Sequence, residues 1–584
     1  MPLTDRLLII GLDGATFDLM APWARQRELP NLARLMDAGT YQPLRSTLPP
    51  MSFPAWNTFM TGKNVAKHGV FDFTERKPNS YGVQFTNGSS RQTQTIWSIL
   101  SRAQKRICVM AVPCTYPPEP LNGVMISGFD APSAGPGSMY PPGLYEEIRT
   151  HVGEYMVAAQ IAKDIDRDRP DLALQSILQT IDRKAATALY LLEREPWHCF
   201  MAMFGESDLS AHHFWKYHDP HSPHYEDFPG GGDPLLTVYR RLDKAIGDLL
   251  GAVPPGTTTI VMSDHGHGGT GDKVIYVNRW LASHGLFTFR SSNHARGLAG
   301  ARVRLARLGG RAKNLAIRVI PYKARKLLMY ERRAGVANRV ESWLRFGSID
   351  WSRTKAFSEE TPYYPMIWIN VRGREPEGIV EAGAMYEAVR QEVKDRLLAW
   401  TDPESGHPLV RAVFGREEVY QGPYLEKVPD LLVAWHLDRG YSYLSRPSYQ
   451  ARSEQFIEGM PKDAATHSRF MMAKSGSHRD YGILIMAGKA IVPRAQLRDP
   501  QIADLAPTIL ALLGVAAPAG MDGRTLTEAL ERVPELMAGV PGGGGEAADY
   551  ATEVEGAGHG HGVRYSEEEA RQIETRLKDL GYID

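Results

Sequence analysis

Leu7-Leu8-Ile9-Ile10-Gly11-Leu12-Asp13-Gly14 is the stretch on which the reading of this chain turns. Its unbroken apolar run has no alternation, as expected of a strand covered on both faces in a parallel sheet. Gly11-Leu12-Asp13-Gly14 ends the run and puts Asp13 at the carboxyl edge, where open α/β sheets bind their ligands. The same pattern recurs along the chain. Arg106 to Val112 and the run inside Asn122 to Ser127 read as buried strands. Trp197 to Phe204 runs into Gly205-Glu206-Ser207-Asp208, and the β-branched Thr257 to Met262 runs into Ser263-Asp264-His265-Gly266. Helical spacing fills the intervals at Pro30–Gly39, Thr95–Ala103, Ile181–Leu192 and Leu235–Leu250. Strands alternating with helices, with acids landing just after the strands, predict an α/β fold whose site is built from loops.

Further on, Pro365 to Val371 and Asp430 to Trp435 read as strands, and Ile502 to Leu513 as a helix. In Gly476-Ser477-His478-Arg479-Asp480-Tyr481-Gly482-Ile483-Leu484-Ile485-Met486 a histidine precedes an apolar strand instead of following one. Ser566 with Glu569 forms a capping box for a last helix.

Between the first strands lies Thr47-Leu48-Pro49-Pro50-Met51-Ser52-Phe53-Pro54-Ala55-Trp56-Asn57. The two prolines hold the chain extended, and Pro54 suits the first turn of a helix. Ser52 is therefore expected just ahead of a helix start, beside free N–H groups that favour a bound anion. Helix N-capping is the plainer role for such a serine.

Composition narrows the function classes. The 584 residues are 43% apolar and 23% charged, typical of a globular protein larger than one average domain. Lys plus Arg and Asp plus Glu both number 67, so nucleic-acid binding is not expected. Cys108, Cys114 and Cys199 have neither disulfide nor metal-ligand spacing, and no apolar run reaches membrane-spanning length. A cytoplasmic protein is expected. Basic residues interleaved with apolar ones from 289 to 345 predict either an excursion touching a membrane surface or polyanion, or a cap beside an anionic pocket. The expected division is a catalytic core in two parts (1–270 and 476–540), an inserted cap (271–475), a flexible linker (541–565) and a C-terminal helix (566–584).

Acidic and imidazole side chains at the strand ends are Asp13, Asp208, His212, Asp264, His265 and His478. Asp208 and His212, four apart, share a face of any helix that starts at the turn. With one serine oxygen, these groups make two sites of mixed oxygen and nitrogen ligands, which suits Zn2+ and also admits Mn2+. A pair of such ions clamps an in-line displacement at phosphorus.

Taken in order, the motifs resemble the alkaline phosphatase superfamily on its type I phosphodiesterase and nucleotide pyrophosphatase side. They are Gly11-Leu12-Asp13-Gly14, Ser52-Phe53-Pro54, Thr61-Gly62, His68-Gly69, Asp208 with His212, Ser263-Asp264-His265-Gly266, Gly476-Ser477-His478, Asp504 to Leu510, Met521-Asp522-Gly523-Arg524 and Leu577 to Tyr582. The resemblance implies an α/β/α sandwich with a mainly parallel central sheet and an inserted cap. It implies one divalent metal on Asp13, Ser52, Asp264 and His265, another on Asp208, His212 and His478, and Ser52 as nucleophile through a phospho-serine. Many phosphodiesterase relatives carry threonine where Ser52 stands. They also carry a phosphate-binding asparagine near the position of Asp72 and Phe73; Asn57, Lys63 or a residue of the inserted cap are the candidates for that role here, and Arg479, next to His478, is the candidate phosphate clamp.

The expected activity is hydrolysis of a small phosphate ester, a diester or nucleotide-type substrate. The alternatives are a phosphomonoesterase or phosphomutase on the same scaffold, or a non-catalytic membrane-peripheral or polyanion-binding protein. A sulfatase is disfavoured because Trp56 stands where its C/S-x-P-x-R sequence needs arginine.

Overall fold

A computed structural model describes residues 2–77, 79–194, 196–290, 346–361, 364–451, 453–460, 474–532, 564–580 and 582. The basic excursion, apart from its first two residues, and nearly all of the linker lie outside the described residues.

The strand Leu7–Leu12 is buried at every position. It runs parallel to Cys199–Phe204 on one side and Thr258–Met262 on the other, in the registers Leu12↔Phe204 and Gly11↔Met262. Ile107–Met110 and Gly123–Ile126 extend the parallel set. Met139–Tyr140 closes that edge antiparallel, while Tyr481–Ala487 and then Thr40–Arg45 close the other, giving an eight-stranded mainly parallel sheet. The matched registers bring the carboxyl ends of three neighbouring strands to one level. Tyr481–Ala487 runs the opposite way, so it starts at the level where its neighbours stop. That reversal is why His478 precedes its strand while Asp13, Asp208 and Asp264 follow theirs.

Two groups of helices make the outer layers of the α/β/α sandwich. Pro30–Ala38, Pro170–Arg194 and Pro234–Ala252 form one. Ser52–Thr61, Ile96–Arg102 and Leu505–Leu512 form the other, wholly buried in its first and last members.

A second hydrophobic cluster, with Trp280, Phe357, Ile367, Val393 and Leu432, is built mainly from residues between Ile275 and Ile457. There Ala356–Ser358, Ile367–Ile369, Leu431–Trp435 and Val410–Gly415 form a four-stranded antiparallel sheet, with the helix Ala384–Leu398 packed on it. The long strand Gly266–Ile275 joins the two regions. Its start pairs antiparallel with Gly476–Arg479, and its end pairs with Tyr441–Ser445 and Ile457–Gly459.

Candidate metal centre

The strand ends deliver two clusters. In the first, Asp13 Oδ1 lies 3.5 Å and Asp264 Oδ2 3.4 Å from His265 Nε2. In the second, His212 Nε2 is 3.3 Å from Asp208 Oδ2 and 3.0 Å from His478 Nε2. Asp208 Oδ1 is 3.3 Å from His267 Nδ1 and 3.5 Å from His478 Nε2. Asp208 and His212 stand one turn apart on the helix Glu206–His218. His267 and His478 face each other across paired strands. The rings of His265 and His478 stack at 3.8 Å, joining the clusters.

Local chemistry holds these groups in place. Gly14 adopts φ +65°, and a Cβ there would lie 2.7 Å from Asp208 Oδ1, so only glycine lets the Asp13 turn and the Asp208 helix approach this closely. Trp56 Nε1 donates to Asp13 Oδ2 at 3.0 Å, and the Gly14 amide donates to Asp264 Oδ1 at 3.2 Å. Three imidazoles face carbonyl oxygens through Nδ1: His212 to Gly476, His265 to Gly266 and His478 to Pro50, at 3.0, 3.0 and 2.8 Å. A carbonyl only accepts, so each Nδ1 carries the proton and each Nε2 keeps its lone pair for a cation.

Ser52 is the first residue of the helix Ser52–Thr61, with Met51 at the cap position. Its hydroxyl is therefore not spent on capping. Ser52 Oγ lies 3.5 Å from Asp13 Oδ1, 3.3 Å from His265 Nε2 and 3.4 Å from the hydroxyl of Tyr582.

The donor set fits divalent cations. One ligand atom from each of Asp208, His212, His267 and His478 lies within 4.8 Å of the others, and the same holds for Asp13, Asp264 and His265. Ligands about 2.0–2.1 Å from a tetrahedral ion stand about 3.4 Å apart, which is the spacing found here. Among the described residues no hydrogen-bond partner reaches the buried Asp208 Oδ1 or Asp264 Oδ2, an expensive arrangement unless a cation neutralises it.

The electrostatics agree. Burial, then the charges of Asp264 and Asp208, push Asp13 well above the usual carboxylate range. Burial and Asp208 raise Asp264 to about 8. Burial also pushes Asp208 upward, but the neighbouring imidazoles, led by His212, overturn that and hold it well below its ordinary value. Burial and His212 lower His267 to about 3, and burial lowers His478 well below the normal imidazole range, which suits neutral ligands. Burial, then Asp208 and Asp13, keep the Tyr582 phenol protonated.

Asp13, Ser52, Asp208, His212, Asp264, His265 and His478 thus meet in one buried site. Asn57, Lys63 and Arg479 are directed elsewhere. Asn57 Nδ2 donates to the Phe53 carbonyl at 2.8 Å, and its Oδ1 accepts from Arg91 at 3.2 Å. Lys63 Nζ donates to Thr93 Oγ1 at 3.0 Å. Arg479 donates to the carbonyls of His478 at 3.0 Å and Gly269 at 2.9 Å. It lines a cavity of about 690 Å³ together with His478, Tyr364 and Trp215. Sequence reasoning omitted His267 and Tyr582 from the site. A second histidine two residues beyond His265, at the start of the strand Gly266–Ile275, was a usable signal.

No described helix is long and apolar enough to cross a membrane. No curated protein matches the chain by sequence. Among solved structures, the phosphonoacetate hydrolase of Sinorhizobium meliloti 1021 bound to phosphonoacetate is similar at 13% identity and TM-score 0.52, over 88% of this chain and 95% of that one. The same enzyme bound to phosphonoformate gives TM-score 0.53 at the same identity and coverage. Human ectonucleotide pyrophosphatase/phosphodiesterase 5 aligns at 13% identity and TM-score 0.46, over 90% of this chain and 100% of that one. The family model for type I phosphodiesterase / nucleotide pyrophosphatase matches residues 7–462. The chain therefore belongs to the type I phosphodiesterase / nucleotide pyrophosphatase family and is a hydrolase of phosphoric ester bonds.

Proposed function

We propose that this protein hydrolyses a small phosphodiester or nucleotide-type substrate at a two-metal centre, with Ser52 as the nucleophile. The observation that carries the reading is the placement of Ser52 Oγ, buried against the Asp13, Asp264 and His265 cluster and linked to Asp208 through one tyrosine hydroxyl. Asp13, Ser52, Asp264 and His265 would hold one cation, and Asp208, His212, His267 and His478 the other. Four imidazoles among seven charged or imidazole ligands favour zinc over harder ions. Bound there, the two cations supply charge neutralisation for a phosphoryl group and lower the pKa of an attached hydroxyl.

The chain's own groups then have definite parts. Ser52 Oγ, its proton passed to solvent, attacks phosphorus in line; the P–O bond to the alcohol breaks, the departing oxygen takes up a proton from solvent, and phospho-serine forms. Water then breaks the Ser52–phosphorus bond and releases the second product with the serine restored. Asp13 and Asp264 would each offer one oxygen to a cation, while Trp56 and the Gly14 amide hold the other oxygen in place. The Nδ1 hydrogen bonds prevent the imidazoles from turning during the cycle. The three cysteines, Cys108, Cys114 and Cys199, are buried, and a reducing compartment suits them, so we place the protein in the cytoplasm. The basic composition of segment 289–345 would suit peripheral contact with an anionic membrane surface.

A chromogenic bis-aryl phosphodiester, an aryl phosphomonoester and an aryl sulfate form the substrate panel that tests this. Metal-loaded enzyme should turn over the diester fastest, and Ser52→Ala, assayed at saturating metal, should abolish that turnover. Full diesterase activity in Ser52→Ala would end the proposal.

A further inference from the structure

The hydroxyl of Tyr582 stands at the reacting end of the site. It donates to Asp208 Oδ2 at 2.8 Å and accepts from Ser52 Oγ at 3.4 Å. Its ring is buried, stacked on Phe73 at 4.4 Å and 19° and on Phe129 at 5.6 Å and 28°. Phe73 is packed in turn against Phe53 at 4.5 Å. This aromatic stack holds the ring with its phenol oxygen toward Asp208 and Ser52.

The segment that brings Tyr582 there is anchored along its length. The helix Glu567–Leu580 begins in a capping box between Ser566 and Glu569, and buries Ala570, Ile573, Leu577 and Leu580. Tyr116 donates to Glu569 Oε1 at 2.9 Å, and Tyr565 donates to the Asp130 carbonyl at 2.6 Å. Arg576 donates to the carbonyls of Phe129 at 3.0 Å and Pro132 at 2.8 Å. These ties fasten the helix to the segments that follow the strands Ile107–Met110 and Gly123–Ile126.

A phosphoryl group beside Ser52 brings negatively charged non-bridging oxygens toward Asp13, Asp208 and Asp264. Besides the cations and the backbone N–H groups at the start of the helix Ser52–Thr61, a neutral side-chain donor that is not itself a ligand would steady it. Asp13 and His265, the other two groups hydrogen-bonded to Ser52 Oγ, are both assigned as ligands. Asn57, Lys63 and Arg479 are committed elsewhere.

We propose that Tyr582 contacts the substrate directly: its O–H turns from Asp208 to a non-bridging oxygen of the phosphoryl group passing to Ser52, making the C-terminal segment one wall of the active site. The inference rests on the phosphate-ester reading above. With Tyr582, Phe73 and Phe129 closing that side, the organic part of the ester extends toward the 690 Å³ cavity that His478 and Arg479 line.

Tyr582→Phe tests this, since it keeps the ring stack and removes only the hydroxyl. The full-length metal-loaded chain is assayed with the bis-aryl phosphodiester, titrated with inorganic phosphate by calorimetry, and analysed for bound metal. A hydrogen bond to a charged acceptor is worth about ten- to a hundredfold in affinity. Tyr582→Phe should therefore weaken phosphate binding and lower kcat/KM by about that factor with metal content unchanged. Tyr582→Ala should lose at least as much.

Wild-type phosphate affinity and kcat/KM in Tyr582→Phe would overturn the proposal. So would a variant faster than wild type, which would make the tyrosine an obstruction, or one that loses metal, which would make it a support for Asp208. Absence of phosphate-ester hydrolysis in the wild type, or full activity in Ser52→Ala, would instead sink the functional reading on which the proposal rests.

Discussion

Replacing His267 with alanine separates a metal ligand from a buried packing ring. The imidazole is fully buried, 3.3 Å from Asp208 Oδ1, and held neutral by burial and His212, with a pKa lowered to about 3. If the ring only packs, its loss leaves a cavity that costs about 2–5 kcal/mol, as large-to-alanine changes do. That cost would be the same with or without metal. If it is a ligand, the second cluster drops from four donors to three. Removing even the partner that orients a ligand weakens metal binding about 10- to 100-fold, so losing a ligand itself should cost at least about 1.4–2.7 kcal/mol of metal affinity.

The assay is a zinc titration against a competing chelator, paired with thermal unfolding with and without metal. In His267→Ala, the metal-induced rise in stability should shrink by the same 1.4–2.7 kcal/mol, because stabilisation follows the dissociation constant logarithmically. Unchanged zinc affinity, with instability equal in both forms, would refute the assignment of His267 as a ligand.

Trp56→Phe removes the donor to Asp13 Oδ2 while keeping an aromatic ring. An unsatisfied buried acceptor costs about 1–3 kcal/mol, so metal affinity or stability should fall by that amount, read by the same titration and melts. Glu360 is buried, and burial outweighs its hydrogen bonds from Ser448 and Asn278, raising its pKa from 4.5 to about 7. The folded chain holds that proton more tightly than the unfolded one. Its stabilising effect is complete below pH 4.5 and is lost as pH rises through about 7. Urea unfolding across this window should show wild type losing on the order of 3 kcal/mol relative to the non-titrating Glu360→Gln. A flat difference would mean that its hydrogen bonds keep Glu360 ionised. Asp264→Asn removes a charge from the first cluster and should lose one metal per chain in elemental analysis while the second remains.

The parallel strands of the core were legible because burial on both faces writes a plain apolar run, as in Leu7–Leu12 and Thr258–Met262. Elements whose pairing depends on small or irregular residues were not. Gly266–Ile275 carries four glycines in its first six positions and has no side-chain period to read. Its glycines are required by close approach: a Cβ at Gly266 would sit 2.0 Å from the Tyr481 carbonyl. Thr40–Arg45 contains Pro43, tolerated because this is an edge strand of the sheet.

In the site, strand ends announced the acids and His478, since a charged residue after or before an apolar run has few other reasons to be there. Orientation was harder to read. Asn57 follows Ser52 by five residues on one helix, which turns it about 140° away at 100° per residue, and its amide bonds the Phe53 carbonyl instead. Tyr582, 530 residues from Ser52 in sequence, reaches it only through the tertiary fold.

The central claim is that two cations sit on either side of Ser52. Crystals of the protein grown with Zn2+ and measured at the zinc absorption edge test it directly through an anomalous difference map. The account predicts two peaks per chain about 4 Å apart, one among Asp13, Ser52, Asp264 and His265, the other among Asp208, His212, His267 and His478. A map with no peak at these residues in metal-saturated, active crystals would contradict it.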